Sequence, residues 1–175
     1  MTRLHARPVL ETELPALVEL INSAYRGDSS RRGWTTEADL LGGQRTDPVT
    51  LGQQLAAAGG AMLVAEQDGR LVACVCLERT SSADVYLGML TVDPGAQTGG
   101  LGTALLTAAE EYARETLRAN AIRMTVIAQR AELIAWYERR GYARTGERQD
   151  FPYGDARFGL PKREDLYFVV LRKPL

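Results

Sequence analysis

Gln97-Thr98-Gly99-Gly100-Leu101-Gly102-Thr103 is the stretch whose residue types and spacing point most directly to chemistry. Its glycines open backbone conformations that a Cβ forbids and let a ligand approach the main chain. Leu101, Leu105, Ala109, Tyr112 and Ala113 follow at helical spacing. The N–H groups that begin such a helix lack intrahelical acceptors, and with the helix dipole they form an anion site. The implied chemistry is a phosphate cradle built from backbone, with little side-chain charge. Two familiar phosphate loops do not fit. The P-loop needs a Lys and a Ser or Thr after its last glycine, and Gly102 is followed by Thr103 without a Lys. The dinucleotide fingerprint needs a third glycine or alanine where Leu105 stands.

The elements around this turn define how it is held. Val85 to Val92 precedes it as a strand, and Pro94 ends pairing because it has no N–H. Leu101 to roughly Arg118 follows as the longest helix. Upstream, Leu4 to Val9 reads as a first strand and Glu13 to Tyr25 as an amphipathic helix capped by Thr12. A polar loop, Arg26 to Trp34, leads to a second predicted helix from Thr36 to Gly42-Gly43. Pro48 to Ala58 forms a short helix ended by Gly59-Gly60. Ala61 to Glu66, Arg70 to Glu78 and Val85 to Val92 are successive antiparallel strands, joined by Asp68-Gly69 and by a turn over residues 81–84. Ile122 to Ile127 follows a helix and so runs parallel to Val85–Val92. Glu132 to Arg140 is a helix ended by Gly141, with Arg139 and Arg140 complementing its dipole. Ala143 to Asp150 and Asp165 to Arg172 are the last strands, separated by the aromatic loop Phe151 to Pro161. The result is a mixed α/β chain, a single domain over residues 1–175.

The pattern Gln97-x-x-Gly100-x-Gly102, after Leu90-Thr91-Val92-Asp93-Pro94, resembles the acetyl-CoA pyrophosphate loop of the GNAT superfamily of N-acetyltransferases. Ala135-Trp136-Tyr137-Glu138-Arg139-Arg140-Gly141-Tyr142 is similar to the second signature of that family. The resemblance implies acetyl transfer from acetyl-CoA to an amine in a ternary complex. It implies cofactor contacts from Leu90, Thr91, Val92, Gln97, Thr98, Gly99, Gly100, Leu101, Gly102 and Thr103. It makes Tyr137 the general acid toward the CoA thiolate, since a Tyr with an ordinary pKa of about 10 stays protonated. It also implies a mostly antiparallel twisted sheet with helices on both faces, in which Val85–Val92 and its parallel neighbour splay apart to admit the thioester.

Two positions depart from the family. Arg130 stands where Asn is common, and is left to bind a CoA phosphate or to face solvent. Tyr86 stands where many members carry a basic Glu, so the base is open among Glu78, Asp84, Glu37, Asp150 and a water chain. By resemblance, Tyr25, Trp34 and Glu37 wall the acceptor site, with Tyr86 and Tyr153 as further candidates. Arg31 and Arg32 are candidates to attract an anionic acceptor. The alternative to an enzyme is a non-catalytic acyl-CoA-binding or sensor domain.

Composition bounds these readings. A net charge of −1 over 175 residues gives no bulk attraction to nucleic acid or an anionic membrane. No run approaches a membrane span, and Arg3, His5 and Arg7 interrupt any leader-like stretch, so a cytoplasmic location is expected. Cys74 and Cys76 share one face of a strand and read as small apolar residues, and no cluster suggests a metal. The expected partner is a small-molecule or peptide amine, with a homodimer admitted by the resemblance.

Overall fold

The computed structural model describes residues 5–57, 59–80 and 82–175, except the side chain of Thr98. Leu4, Ala58 and Ser81, which belong to predicted elements, lie outside the described residues. The main sheet contains β1 (Ala6–Pro8), β3 (Gly60–Gln67), β4 (Arg70–Arg79), β5 (Asp84–Val92), β6 (Ala121–Ile127), β7 (Ala143–Asp150) and β9 (Tyr167–Pro174). Their order is β1-β3-β4-β5-β6-β9-β7. Every neighbouring pair is antiparallel except β5 and β6, which are parallel. A small second sheet pairs β2 (Leu41–Gly42) with β8 (Leu160–Pro161).

Alternation along the strands fills two layers. Leu63, Val75, Leu77 and Leu87 pack with Leu105, Leu106 and Ala109 of α4 (Leu101–Glu115) and with Ile134 of α5 (Ala131–Glu138). Met62, Val64, Cys74 and Cys76 point the other way, against Leu17, Leu20 and Ile21 of α1 (Leu14–Tyr25) and Leu51 of α3 (Pro48–Ala56). A sheet covered on both faces needs strands that are apolar on both sides, which β3 and β4 are. The cysteines are free and buried in the second layer, in keeping with their apolar reading.

The predicted splay has a visible cause. The β4–β5 register slips between Cys74 and Cys76: Cys74 faces Thr91, whereas Cys76 faces Gly88. One extra residue is thus inserted into β5, and Met89 takes a left-handed φ of 50°. For a non-glycine residue this costs roughly 1–3 kcal/mol. Thr91 Oγ1 donates to the Met89 carbonyl at 2.9 Å and holds the bulge. Pairing of β5 with β6 runs only from Asp84–Ala121 to Tyr86–Arg123. Beyond it the strands part, although β6 continues to Ile127.

Three local expectations change. Thr12 does not cap α1; it lies in a 3-10 turn, Glu11–Glu13, and the Glu13 carboxylate instead accepts from the Leu10 N–H at 2.8 Å. The helix predicted from Thr36 is a turn, because Leu41–Gly42 leaves it to pair with Leu160–Pro161. The polar loop before it contains a short helix, α2 (Gly27–Ser30).

Candidate active site

The turn after β5 is ordered by its own polar groups. Asp93 Oδ1 accepts from the Gly95 N–H at 2.7 Å, and the chain passes through a 3-10 turn at Gln97–Gly99. Gly100 then takes φ 73°, a value that favours glycine, and opens α4. Among the described residues no side chain caps α4, so the donors of its first turn are left for an external acceptor. A cleft of about 210 Å³ lies against them, lined by Val92, Gln97, Gly100, Gly102 and Thr103.

Gln97 has a positional role. Its amide donates to the Val92 carbonyl at 3.1 Å and accepts from the Trp34 N–H at 2.9 Å, fastening the α2–β2 segment to the glycine turn. Trp34 therefore borders this cleft, 6.2 Å from Trp136 between ring centroids, and is absent from the lining of the deeper pocket where an acceptor wall was expected. Gly99 and Leu101 do not line the cleft either, and Leu101 packs on the core.

Arg140 was read only as a complement to the α5 dipole. It does donate to the Trp136 carbonyl at 2.8 Å, but it also reaches Thr103 Oγ1 at 2.7 Å, with its guanidinium 3.7 Å from the Trp136 ring centroid. A cation thus sits beside the positive end of α4, and among the described residues no carboxylate pairs with it. Burial and the neighbouring Arg139 push its pKa down. Two positive features in one cleft leave an unmet demand for an anion. The sequence signal was its place one turn past the α5 aromatics, yet nothing local showed that it crosses to α4.

Behind the cleft lies a larger pocket of about 480 Å³. Tyr25, Leu90, Arg130, Leu133 and Tyr137 line both spaces, so the two meet at these side chains. Tyr137 is 5% exposed and packs edge-on against Trp136 and Tyr142, at centroid distances of 5.0 and 5.6 Å. Burial pushes its hydroxyl well above the usual tyrosine range. Tyr25 is pushed up to about 12 by burial, and its hydroxyl donates to the Leu90 carbonyl at 2.9 Å. Tyr86 lines the pocket and shares a 2.7 Å hydrogen bond with Thr125. Among the described residues the Tyr137 hydroxyl has no such partner, so it is the one of these three free to exchange a proton with a ligand.

The pocket floor carries a buried ion triad. Glu37 accepts from Arg26 on one oxygen and from Arg130 Nη1 at 2.8 Å on the other. Burial raises the Glu37 pKa, but the two guanidiniums, with Arg45 beyond, outweigh it and hold the carboxyl below its ordinary range. Glu37 is therefore a fixed anion and a poor base. Arg130 also donates to Thr35 at 2.9 Å and is 7% exposed, so it does not face solvent, and it lines the cleft as well as the pocket. Glu78, Asp84 and Asp150 are absent from the lining, and Asp84 is tied to Arg172 at 2.8 Å. Tyr153 is also outside: its hydroxyl donates to the Arg163 carbonyl and accepts from the Leu166 N–H, each at 2.9 Å, which pins the loop. Phe151 and Phe158 from that loop, with Phe168, form the aromatic wall instead. Arg31 and Arg32 do not line the pocket, and Arg31 pairs with Asp39 at 2.8 Å.

Comparison with known proteins agrees with this arrangement. Residues 14–142 match the family model described as Acetyltransferase (GNAT) family. The S-(2-succino)cysteine N-acetyltransferase of Bacillus subtilis (strain 168) is 33% identical over 115 residues, spanning 61% of this chain and 69% of that protein. The ribosomal-protein-alanine N-acetyltransferase of Brucella melitensis superposes with a TM-score of 0.72 at 23% identity, covering 98% of this chain and 100% of the other. A streptothricin acetyltransferase homologue from Bacillus anthracis str. Ames, solved with acetyl coenzyme A, has a TM-score of 0.58 at 16% identity over 71% of this chain and 67% of its own. The uncapped α4 start and the unpaired Arg140 are features that a pyrophosphate would satisfy. On the matched motif, the splayed strands and the two joined cavities, the chain belongs to the GNAT family of acetyltransferases, acyltransferases whose cosubstrate is acetyl-CoA.

Proposed function

We propose that this protein acetylates an amine by direct attack in a ternary complex, with acetyl-CoA in the glycine-loop cleft and the acceptor in the pocket behind it. The meeting of the two spaces at Tyr137 and Leu90 carries this reading, because it brings both reactants to one point without a covalent relay. The first turn of α4 and Arg140 hold the pyrophosphate, and Thr103 keeps Arg140 in place. The bulge at Met89 turns the β5 backbone at Leu90 toward the gap, where main-chain donors face the thioester oxygen. The amine nitrogen forms the new bond to the acetyl carbon, the carbon–sulfur bond breaks, and Tyr137 gives its proton to the departing sulfur. The amine's surplus proton leaves through water, which returns a proton to Tyr137, since Glu37, the carboxylate lining the pocket, is locked between arginines.

Thiol release from acetyl-CoA in the presence of amines tests this reading, with Tyr137→Phe as the diagnostic variant. General acid catalysis contributes roughly 10²–10⁴-fold, so kcat falls by that order while acetyl-CoA affinity holds. An unchanged kcat removes Tyr137 from the chemistry. Binding of acetyl-CoA with no thiol release to any amine supports the sensor alternative.

A further inference from the structure

We infer that the acceptor is an amine that also carries a carboxylate, such as an amino acid or an amino-acid conjugate, and that Arg45 is the residue that recognises this carboxylate. The inference rests on the transferase reading for the identity of the pocket, and on charge for everything else. Four arginines line the space: Arg26, Arg45, Arg123 and Arg130. Two carboxylates offset them, Glu37 from within and Glu147, which pairs with Arg123 from β7. Four guanidiniums against two carboxylates leave two positive charges in excess.

Part of this charge is held away from water: Arg26 is 5% exposed and Arg130 is 7% exposed, and among the described residues the Nε of each is buried with no hydrogen-bond partner, while Arg45 and Arg123 are half-buried. Holding like charges away from water is costly, and an anion that enters offsets that cost. Arg45 is the guanidinium best placed to receive it. Its Cζ lies 5.5 Å from the Tyr25 ring centroid, and among the described residues it pairs with no carboxylate. Tyr25 in turn borders Leu90 and Tyr137, so a carboxylate on Arg45 places a nearby amine at the junction. The aromatic wall of Phe151, Phe158 and Phe168 accommodates the rest of the molecule. A volume of about 480 Å³ suits a small molecule.

The same field serves the reaction. Surplus cations disfavour an ammonium and lower the pKa of the bound amine, which delivers the free base without a protein carboxylate. A polyamine, with several cations and no anion, is repelled by this pocket.

The test measures thiol release and calorimetric binding with L-phenylalanine, L-glutamate and S-carboxymethyl-L-cysteine, each against the amide in which every carboxylate is converted to a carboxamide, and with spermidine. The acids are expected to exceed their amides by roughly 10- to 100-fold in kcat/KM, the value of one charge-assisted contact. Arg45→Gln raises KM for the acids by the same order and erodes the acid-over-amide preference, while acetyl-CoA KM does not change. Equal turnover of acids and amides, or preference for spermidine, overturns the inference and leaves the transferase reading standing. Binding of the acids, lost in Arg45→Gln, without thiol release supports anion recognition and contradicts the transferase reading. Neither binding nor turnover of any acid overturns the inference.

Discussion

The glycine-loop cleft and the acceptor pocket are adjacent but built on opposite principles. The cleft is centred on a main-chain device, the run from Val92 to Thr103 that sets donors at the start of α4, with side chains such as Trp34 and Arg140 around it. The pocket is a side-chain device, gathered from α1, the β2 turn, β5, β6, α5 and the loop after β7. Its central ion pair joins Glu37 and Arg130, 93 residues apart. Backbone geometry demands few residue types, so the cleft tolerates change at most of its positions. Side-chain geometry can change one contact at a time, so the proposed acceptor preference would reside there.

The largest break in this contrast comes from Glu37→Gln. Removing the anion leaves Arg26 and Arg130 buried and facing each other, and the loss of a buried partner costs about 3–5 kcal/mol. Denaturant unfolding is expected to show that drop. The pH dependence carries the same signature. Glu37 has a depressed folded pKa, so its contribution is present above the unfolded value of about 4.3 and is lost as pH falls through the folded value. The wild-type protein therefore loses stability on acidification below pH ~4, and Glu37→Gln shows a shallower slope there.

Arg140→Ala sharpens the cleft side. It removes a charge-assisted contact and is expected to weaken acetyl-CoA binding by roughly 10-fold, with acceptor KM unaffected. Equal weakening of both substrates, measured by steady-state kinetics, breaks the separation of the two spaces. On the alkaline side, the raised Tyr137 pKa keeps the acid protonated, so no fall in kcat from this group is expected below pH ~10. The smallest effect belongs to Tyr153→Phe. It removes two loop hydrogen bonds and costs about 1–2 kcal/mol of stability, with kcat/KM for acetyl-CoA unaltered.

What was legible in the sequence follows the same division. The turn from Val92 to Gly102, the strands around it, Gly141 and Tyr137 are encoded by local spacing, and the structure has them at the expected places. The parallel β5–β6 pair was legible because a helix separates the strands. The β2–β8 pairing was not, since Leu41 and Pro161 are distant in the chain and their pairing overrides the helical pattern at Thr36. Glu37 and Tyr25 were named together from the sequence and line one pocket, but the partners of Glu37 were not foreseen. Arg31 and Arg32 drew notice as a pair in the chain, whereas the arginines that line the pocket are dispersed from Arg26 to Arg130. Met89 carried no sign of its left-handed backbone, because that conformation is imposed by the β4 register.

The most direct test is a calorimetric titration with acetyl-CoA, with ATP as the control ligand, on the wild-type protein and on Arg140→Ala. The account predicts saturable binding at micromolar concentration for acetyl-CoA, none for ATP, and a loss of affinity in the variant. Absence of acetyl-CoA binding to the wild-type protein contradicts it.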